Sequence, residues 1–327
     1  MKAMKALLAS LLLATLAAVA LPATIFAQGD EYPSEPLKII VPFSAGGGTD
    51  VLARKFAQVL QKHYPAPIAI DNVPGGGSAV GLTKLYNSKP NGYTVGVAGT
   101  HLLTACLQGF AQFPWDSLTH VAILNTEPYV IAVRGDSRWK TIQDLIEDIK
   151  AHPRTITMGN AGAGALTDIV AQAINKRLSV EFVVVPFDGG ANERAALLGG
   201  HVDAGIFSGS EVAPHAGPEG EVRVLAAVGE DRCPLFPDAP SLGELGYHGI
   251  PAGSVRGLAF PPKTPKEIVT AFEGLVIQAV DDIEWKNYMR DNGYVNTFYV
   301  CKEMMDYYNK LYENLKEIMQ EMGLVKQ

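Results

Sequence analysis

Two glycine runs stand where an apolar stretch gives way to a helical pattern. Pro42-Phe43-Ser44-Ala45-Gly46-Gly47-Gly48-Thr49-Asp50 follows Leu37 to Val41, and Asn72-Val73-Pro74-Gly75-Gly76-Gly77-Ser78 follows Ile68 to Ile70. Glycine permits a tight turn and close approach of the backbone, and a helix starting there offers N–H groups with no intrahelical acceptor together with a partial positive charge. The chemistry this allows is capture of an anion by main chain. A nucleotide loop would need a Gly-Lys-Ser/Thr ending, because the lysine neutralises phosphate, and neither run supplies it. Gly46, Gly47 and Gly48 are contiguous, so the spacing of a dinucleotide loop is also missing. Ser44 or Ser78 with His101 and an Asp offers a competing chemistry, that of a secreted hydrolase using a Ser/His site. Ser44 lies in Phe43-Ser44-Ala45-Gly46, which is not a G-x-S-x-G nucleophile elbow, and the binding reading is the stronger.

The same device recurs in the second half. Thr155 to Gly159 runs into Asn160-Ala161-Gly162-Ala163-Gly164-Ala165, and Phe182 to Pro186 runs into Phe187-Asp188-Gly189-Gly190, each ahead of a helical pattern. Further strands are expected over Lys38 to Pro42, Ile68 to Asn72, Thr94 to Ala98, Val121 to Asn125, Tyr129 to Val133, Ala204 to Ser208 and Val222 to Val228. Helices are expected over Val51 to Tyr64, Ala79 to Tyr86, Thr141 to His152, Ala165 to Arg177, Ala191 to Gly199, Lys266 to Asp281 and Glu303 to Met322. Such βα alternation predicts an α/β fold of mostly parallel sheets wrapped by helices, with ligands at the carboxyl ends of the strands. A chain of 327 residues exceeds one compact core, so two lobes are expected, with the glycine corners facing one cleft.

The first 27 residues carry Lys2 and Lys5, an apolar Leu/Ala run from Ala6 to Ala20, Pro22 and the small-residue end Phe26-Ala27, the pattern of a secretory signal peptide cleaved near Ala27. The formal charge is −7, and no basic cluster is present, which argues against nucleic acid. Cys106, Cys233 and Cys301 form no C-x-x-C pair, and the seven histidines show no ligand spacing, so neither a structural metal nor a cofactor is expected. One disulfide is open; burial as small apolar residues is the simpler role for the thiols.

The landmarks, taken in order, resemble a family. They are Pro33; Pro42 to Asp50; Asn72 to Ser78; Pro90-Asn91-Gly92-Tyr93-Thr94; Gly159 to Gly164; Pro186 to Gly190; Leu198-Gly199-Gly200-His201-Val202-Asp203; and Phe236 to Gly246. Together they resemble the periplasmic solute-binding receptors of tripartite tricarboxylate transporters, the Bug or TctC-like family, over nearly the whole chain after the leader. The resemblance implies a two-lobed Venus-flytrap fold with lobe 1 over 28–133 plus 256–327, lobe 2 over 134–255, and crossings near Val133 and Val255. It implies a monomeric periplasmic receptor without enzyme activity, which takes a small carboxylate and delivers it to membrane permease subunits.

Carried over residue by residue, the resemblance implies ligand contacts in the first lobe from Phe43, Ser44, Ala45, Gly46, Gly48, Thr49, Asp50, Gly75, Gly77, Ser78, Thr100 and His101. In the second lobe it implies Gly162, Gly164, Ala165, Thr167, Asp168, Phe187, Asp188, Gly189 and Asp203. Asp50 has capping of its helix as the preferred role, His101 is read as a loop residue after a strand, and Asp203 has backbone capping as its alternative. Phe187 either covers the ligand or plugs the second lobe. Ala165 stands where such receptors often carry Ser, Asp168 where they often carry His, and Phe187-Asp188 where Tyr-Lys is common. Two carboxylates at the distal end would favour a monocarboxylate with a neutral or cationic distal group over citrate.

Overall fold

The computed structural model describes residues 32–217, 219–294 and 297–326. The leader at residues 1–27 lies outside them. Strand β1 (Leu37–Val41) shows how the layers arise. Leu37, Ile39 and Val41 enter one core cluster and Ile40 the other, because successive side chains point to opposite faces of a sheet. Both faces must then be covered, as parallel sheets require. Helix α1 (Gly48–Leu60) covers one face with Leu52, Ala53, Phe56, Val59 and Leu60, spaced at helical period, and Phe56 meets Trp285 edge-on at 5.6 Å.

Strands β2 (Ile68–Asn72) and β3 (Thr94–Gly99) flank β1 in parallel, after which the order runs β9 (Gly253–Phe260), β4 (Thr119–Arg134), β7 (Ala204–Ser208), β5 (Thr157–Asn160) and β6 (Val183–Pro186). Strands β8 (Val222–Ala227) and β10 (Tyr299–Val300) pair with β4. Helices α2 (Ala79–Tyr86), α3 (Thr100–Leu107), α4 (Ile142–Ala151), α5 (Leu166–Leu178), α6 (Gly190–Leu198), α7 (Gly209–Val212), α8 (Lys266–Asp281), α9 (Ile283–Asp291) and α10 (Cys301–Glu321) complete the mixed α/β, two-lobed architecture.

Strand β4 joins the two halves. The sequence reads two strands there, Val121 to Asn125 and Tyr129 to Val133, split at Glu127-Pro128. The structure makes one strand of 16 residues. Its first part pairs with β9 as far as Pro128 opposite Gly253, and its second part pairs with β7 and β8 from Tyr129 on. Pro128 sits where the partners change, so its missing N–H interrupts neither ladder. Val133, near which a crossing is expected, pairs with Ala204 and Arg223 within the second ladder.

Strand β9 carries only the crossing near Val255 that the resemblance implies, and strand β10 and helices α3, α7 and α9 carry no expectation from the sequence. Helix α10 packs on the first lobe, where the buried Tyr308 donates to the carbonyl of Ala98 at 3.2 Å. It also reaches the second lobe: Arg177 on α5 meets Glu321 at 2.7 Å. All three cysteines are free thiols; Cys233 is buried, Cys106 half-buried and Cys301 exposed, so burial accounts for two of them at most.

Candidate ligand-binding cleft

Four helices begin at the carboxyl ends of strands and aim their first turns at one cleft: α1 after β1, α3 after β3, α5 after β5 and α6 after β6. Thr49, Thr100, Thr167 and Gly190 from those turns line it. Each start leaves main-chain N–H groups without an intrahelical acceptor, and the aligned peptide dipoles add positive potential. The arrangement can hold an anion with no lysine in the wall.

The expected site residues divide into groups. Phe43, Gly48, Thr49, Thr100, His101, Ala165 and Thr167 line this cleft. Gly75, Gly77, Ser78, Gly162, Phe187 and Asp188 line an adjoining cavity, and Phe43 and Ala161 border both. Ser44, Ala45, Gly46, Gly164 and Gly189 line neither. Ser44 instead donates to the carbonyl of Asp188 across the lobes, and Gly189 donates to the carbonyl of Ala161 at 2.9 Å. Gly77 lies at φ +58° with the second lobe against it. A Cβ there would stand 2.7 Å from the carbonyl oxygen of Ala163.

The carboxylates are mostly engaged elsewhere. Asp50, 1% exposed, accepts from Gly46 N–H at 2.7 Å, Arg54 at 2.9 Å and Asn72 at 2.9 Å, so it braces loop and helix. Burial pushes its carboxyl up, but those donors prevail and hold it below its ordinary value. Asp168 accepts from Gly164 N–H at 2.9 Å, with Asn160 and Gln172 each at 3.3 Å, and braces the start of α5 in the same way. Asp203 accepts from Thr157 at 2.8 Å on N–H and 2.7 Å on Oγ1. Thr157 opens β5, so Asp203 lies at the end of the sheet opposite the cleft.

His101 departs from its expected loop position. It is the second residue of α3, is 5% exposed, and puts Nε2 at 3.1 Å from the carbonyl of Val97. Burial lowers its pKa to about 4, outweighing the Val97 bond. The ring is therefore neutral at pH 7, carries its proton on Nε2 toward Val97, and leaves Nδ1 as an acceptor. Ser78 donates to the carbonyl of His101 at 3.3 Å, not to the ring. Neither Ser44 nor Ser78 thus forms the serine–imidazole pair that a Ser/His hydrolase needs.

The charges at the cleft come from residues that no sequence motif marks. Arg256 on β9 and Glu127 on β4 form an ion pair, at 3% and 2% side-chain exposure, across the two strands that join the lobes. Arg256 also donates to Ser208 of the second lobe at 2.9 Å and to Thr49 of the first at 3.2 Å. Burial opposes its charge, but the Glu127 carboxylate holds the guanidinium firmly protonated. Glu211 on α7 lines the same cleft and accepts from Gly48 N–H at 2.6 Å and Ser208 N–H at 3.0 Å. Burial raises its pKa, against the lowering effect of the Gly48 bond. A usable signal for Arg256 exists: a lone arginine inside the apolar run Val255 to Phe260 is costly unless paired.

The family model described as "Tripartite tricarboxylate transporter family receptor" matches residues 52–324. A UPF0065 protein of Cupriavidus necator is 28% identical over 316 residues, covering 96% of this chain and 94% of its own. Protein BugT of Bordetella pertussis is 28% identical over 257 residues, 77% of this chain and 78% of BugT. Among solved structures, periplasmic binding protein BugD superposes with a TM-score of 0.85 at 25% identity, over 90% of this chain and all of BugD. MatC from Rhodopseudomonas palustris, solved with bound malate, has a TM-score of 0.77 at 26% identity, over 90% of this chain and all of MatC. A family model spanning most of the sequence, on a fold that matches these neighbours and encloses a cleft between two lobes, places the chain in the tripartite tricarboxylate transporter family of solute receptors.

Proposed function

We propose that this chain is a periplasmic receptor that closes its two lobes on a small carboxylate and delivers it, without chemical change, to the membrane permease subunits of a tripartite transporter. The observation that carries the reading is the convergence of four helix N-termini on one cleft that both lobes line. MatC, a neighbour that binds malate, supports a carboxylate as the ligand class. The partner change along β4 and the start of β9 support a hinge at Pro128-Tyr129 and Ala252-Gly253, with the lobes taken as 32–128 plus 253–326 and 129–252. The bound carboxylate rests on the first turns of α3 and α5, and the receptor works as a monomer, exported by its leader.

Thermal denaturation against a panel of carboxylates tests this. A ligand at 100 times its Kd stabilises by about 2.7 kcal/mol. No shift with any member, or turnover of a bound member, would overturn the receptor reading. Small-angle scattering with the ligand found should show the more compact form; an unchanged radius at saturation would remove lobe closure from the account.

A further inference from the structure

The expected bias against a second ligand carboxylate rests on Asp168 and Asp188, and the structure moves it to another residue. Asp168 is committed to its own loop, and Asp188 is exposed beside the adjoining cavity. The carboxylate in the wall of the cleft at the helix starts is Glu211. We propose that the solute carries an ammonium group beside its carboxylate, as an amino acid does, and that Glu211 holds that ammonium. This rests on the receptor reading above and narrows its ligand class.

The charge inventory of the cleft leads there. Arg256 is matched by Glu127, with which it is buried, so that pair is internally neutral. Glu211 has no such match: among the described residues no Lys, Arg or His forms an ion pair with it, and its partners are two main-chain N–H groups, one on each oxygen. A carboxylate has about four lone-pair sites, so acceptor capacity remains on both oxygens. The cleft thus carries an unmatched negative charge at one side and helix N-termini around it. A dicarboxylate would bring two more negative charges to that wall. A zwitterion would bring none in sum, setting its carboxylate on the helix starts and its ammonium on Glu211.

Two further features agree. His101 lines the cleft as a neutral ring whose Nδ1 is an acceptor, which suits a ligand donor and not a ligand carboxylate. Glu211 also belongs to the second lobe while Gly48 belongs to the first. The side chain is therefore fixed by both lobes only when they are drawn together, so an ammonium seated on it is sensed at closure. Burial raises the Glu211 pKa, and an ammonium beside it would pull that pKa back down.

Calorimetry on the wild type with matched pairs decides the matter: propionate and alanine, succinate and aspartate, glutarate and glutamate, phenylpropionate and phenylalanine. In whichever pair binds, the amino member should bind at least tenfold more tightly, and Glu211→Gln should shrink that ratio toward one while affinity for the plain acid holds or rises. Equal or tighter binding of the plain acid by the wild type overturns the proposal. So does Glu211→Gln weakening both members equally, which would make Glu211 an interlobe latch only. Binding confined to acids such as benzoate overturns the proposal and leaves the receptor reading standing, whereas no binding by any carboxylate removes both. Should Glu211→Gln fail to fold, the wild-type ratio alone decides between support and refutation.

Discussion

The glycine corners and the strands that join the lobes build one cleft by opposite means. The corners contribute main chain: Gly48 and Gly77 meet the facing lobe with no side chain, and the helix starts behind the corners carry the potential. The joining strands contribute charge, the Glu127–Arg256 pair, at 2% and 3% exposure. Bare backbone can accept and release an anion without leaving an unpaired charge behind. A buried ion pair cannot be broken so cheaply, because removing one partner strands the other. On the proposed receptor reading, recognition falls to parts that tolerate opening and the pivot to parts that resist dissection.

This contrast can be broken most sharply at Arg256. Arg256→Ala leaves Glu127 buried without its cation, and a loss of about 3–5 kcal/mol in unfolding free energy is expected. Pairing it with Glu127→Leu should recover a large part of that loss, since no charge is then stranded. Urea denaturation of the single and double variants measures both. A single variant as stable as the wild type would show that the pair does not secure the joining strands.

His101, at the start of α3 beside the corners, gives the next effect. Its pKa is about 4 when folded, against about 6.5 when free, so the unfolded chain binds more protons between those values. The neutral ring's contribution is fully present above pH 6.5 and is lost as the pH falls toward 4, by up to about 3 kcal/mol. His101→Gln should flatten that part of the stability profile. An unchanged profile would mean that the ring is hydrated and protonates freely.

How much of this is legible in the amino-acid sequence follows the same division. The corners announce themselves because glycine is needed wherever backbone must pass close to backbone, and a strand, glycines and a helical period in sequence give a local signal. The βα alternation reveals the fold class for the same reason. What escapes depends on long-range pairing. Strand β9 shows no alternation, because seven of its eight residues are buried. Glu127-Pro128 resembles a turn and is a change of partner within one strand. Glu211 reaches Gly48 over a separation of 163 residues, which no local pattern records. His101 stands out as a candidate, but Gly99, two residues before it, obscures the helix in which it is the second residue. Asp50 shows its place in a first turn, though its carboxylate braces Gly46, Arg54 and Asn72 and caps no helix N–H, whereas Asp203 groups with the cleft by sequence although it sits at the opposite end of its sheet.

Gly77→Val sharpens the comparison from the side of the corners. Its Cβ would stand 2.7 Å from the Ala163 carbonyl, and φ +58° disfavours a branched residue. The clash is with the other lobe, so it opposes closure more than folding. We expect ligand affinity to fall by about a hundredfold, or about 2.7 kcal/mol, with the cooperative unfolding transition retained. If Gly77→Val binds normally, the lobes do not meet at this corner in the liganded receptor. Equal loss of fold and binding would erase the distinction between corner and pivot.

The smallest effect is expected at the rim, where Arg177 of α5 meets Glu321 of α10 at 2.7 Å with side chains 33% and 43% exposed. Lys176 adds a bond to the carbonyl of Glu321 at 2.6 Å, so the end of the last helix is held to the second lobe at two points. A solvent-screened pair of this kind contributes about 0–1 kcal/mol, too little to secure the fold. Its position across the lobes gives it a different leverage: every such contact made only on closing biases the open–closed equilibrium by its own full amount. Arg177→Ala should therefore leave the unfolding midpoint within about 1 kcal/mol of the wild type in free energy while loosening ligand affinity by up to about fivefold, the loss shrinking in high salt as the pair is screened. Titration at low and high ionic strength separates the two possibilities. A salt-independent loss would mean that Arg177 acts by packing its stem on α10, and an unchanged affinity would confine closure to the corners and the pivot.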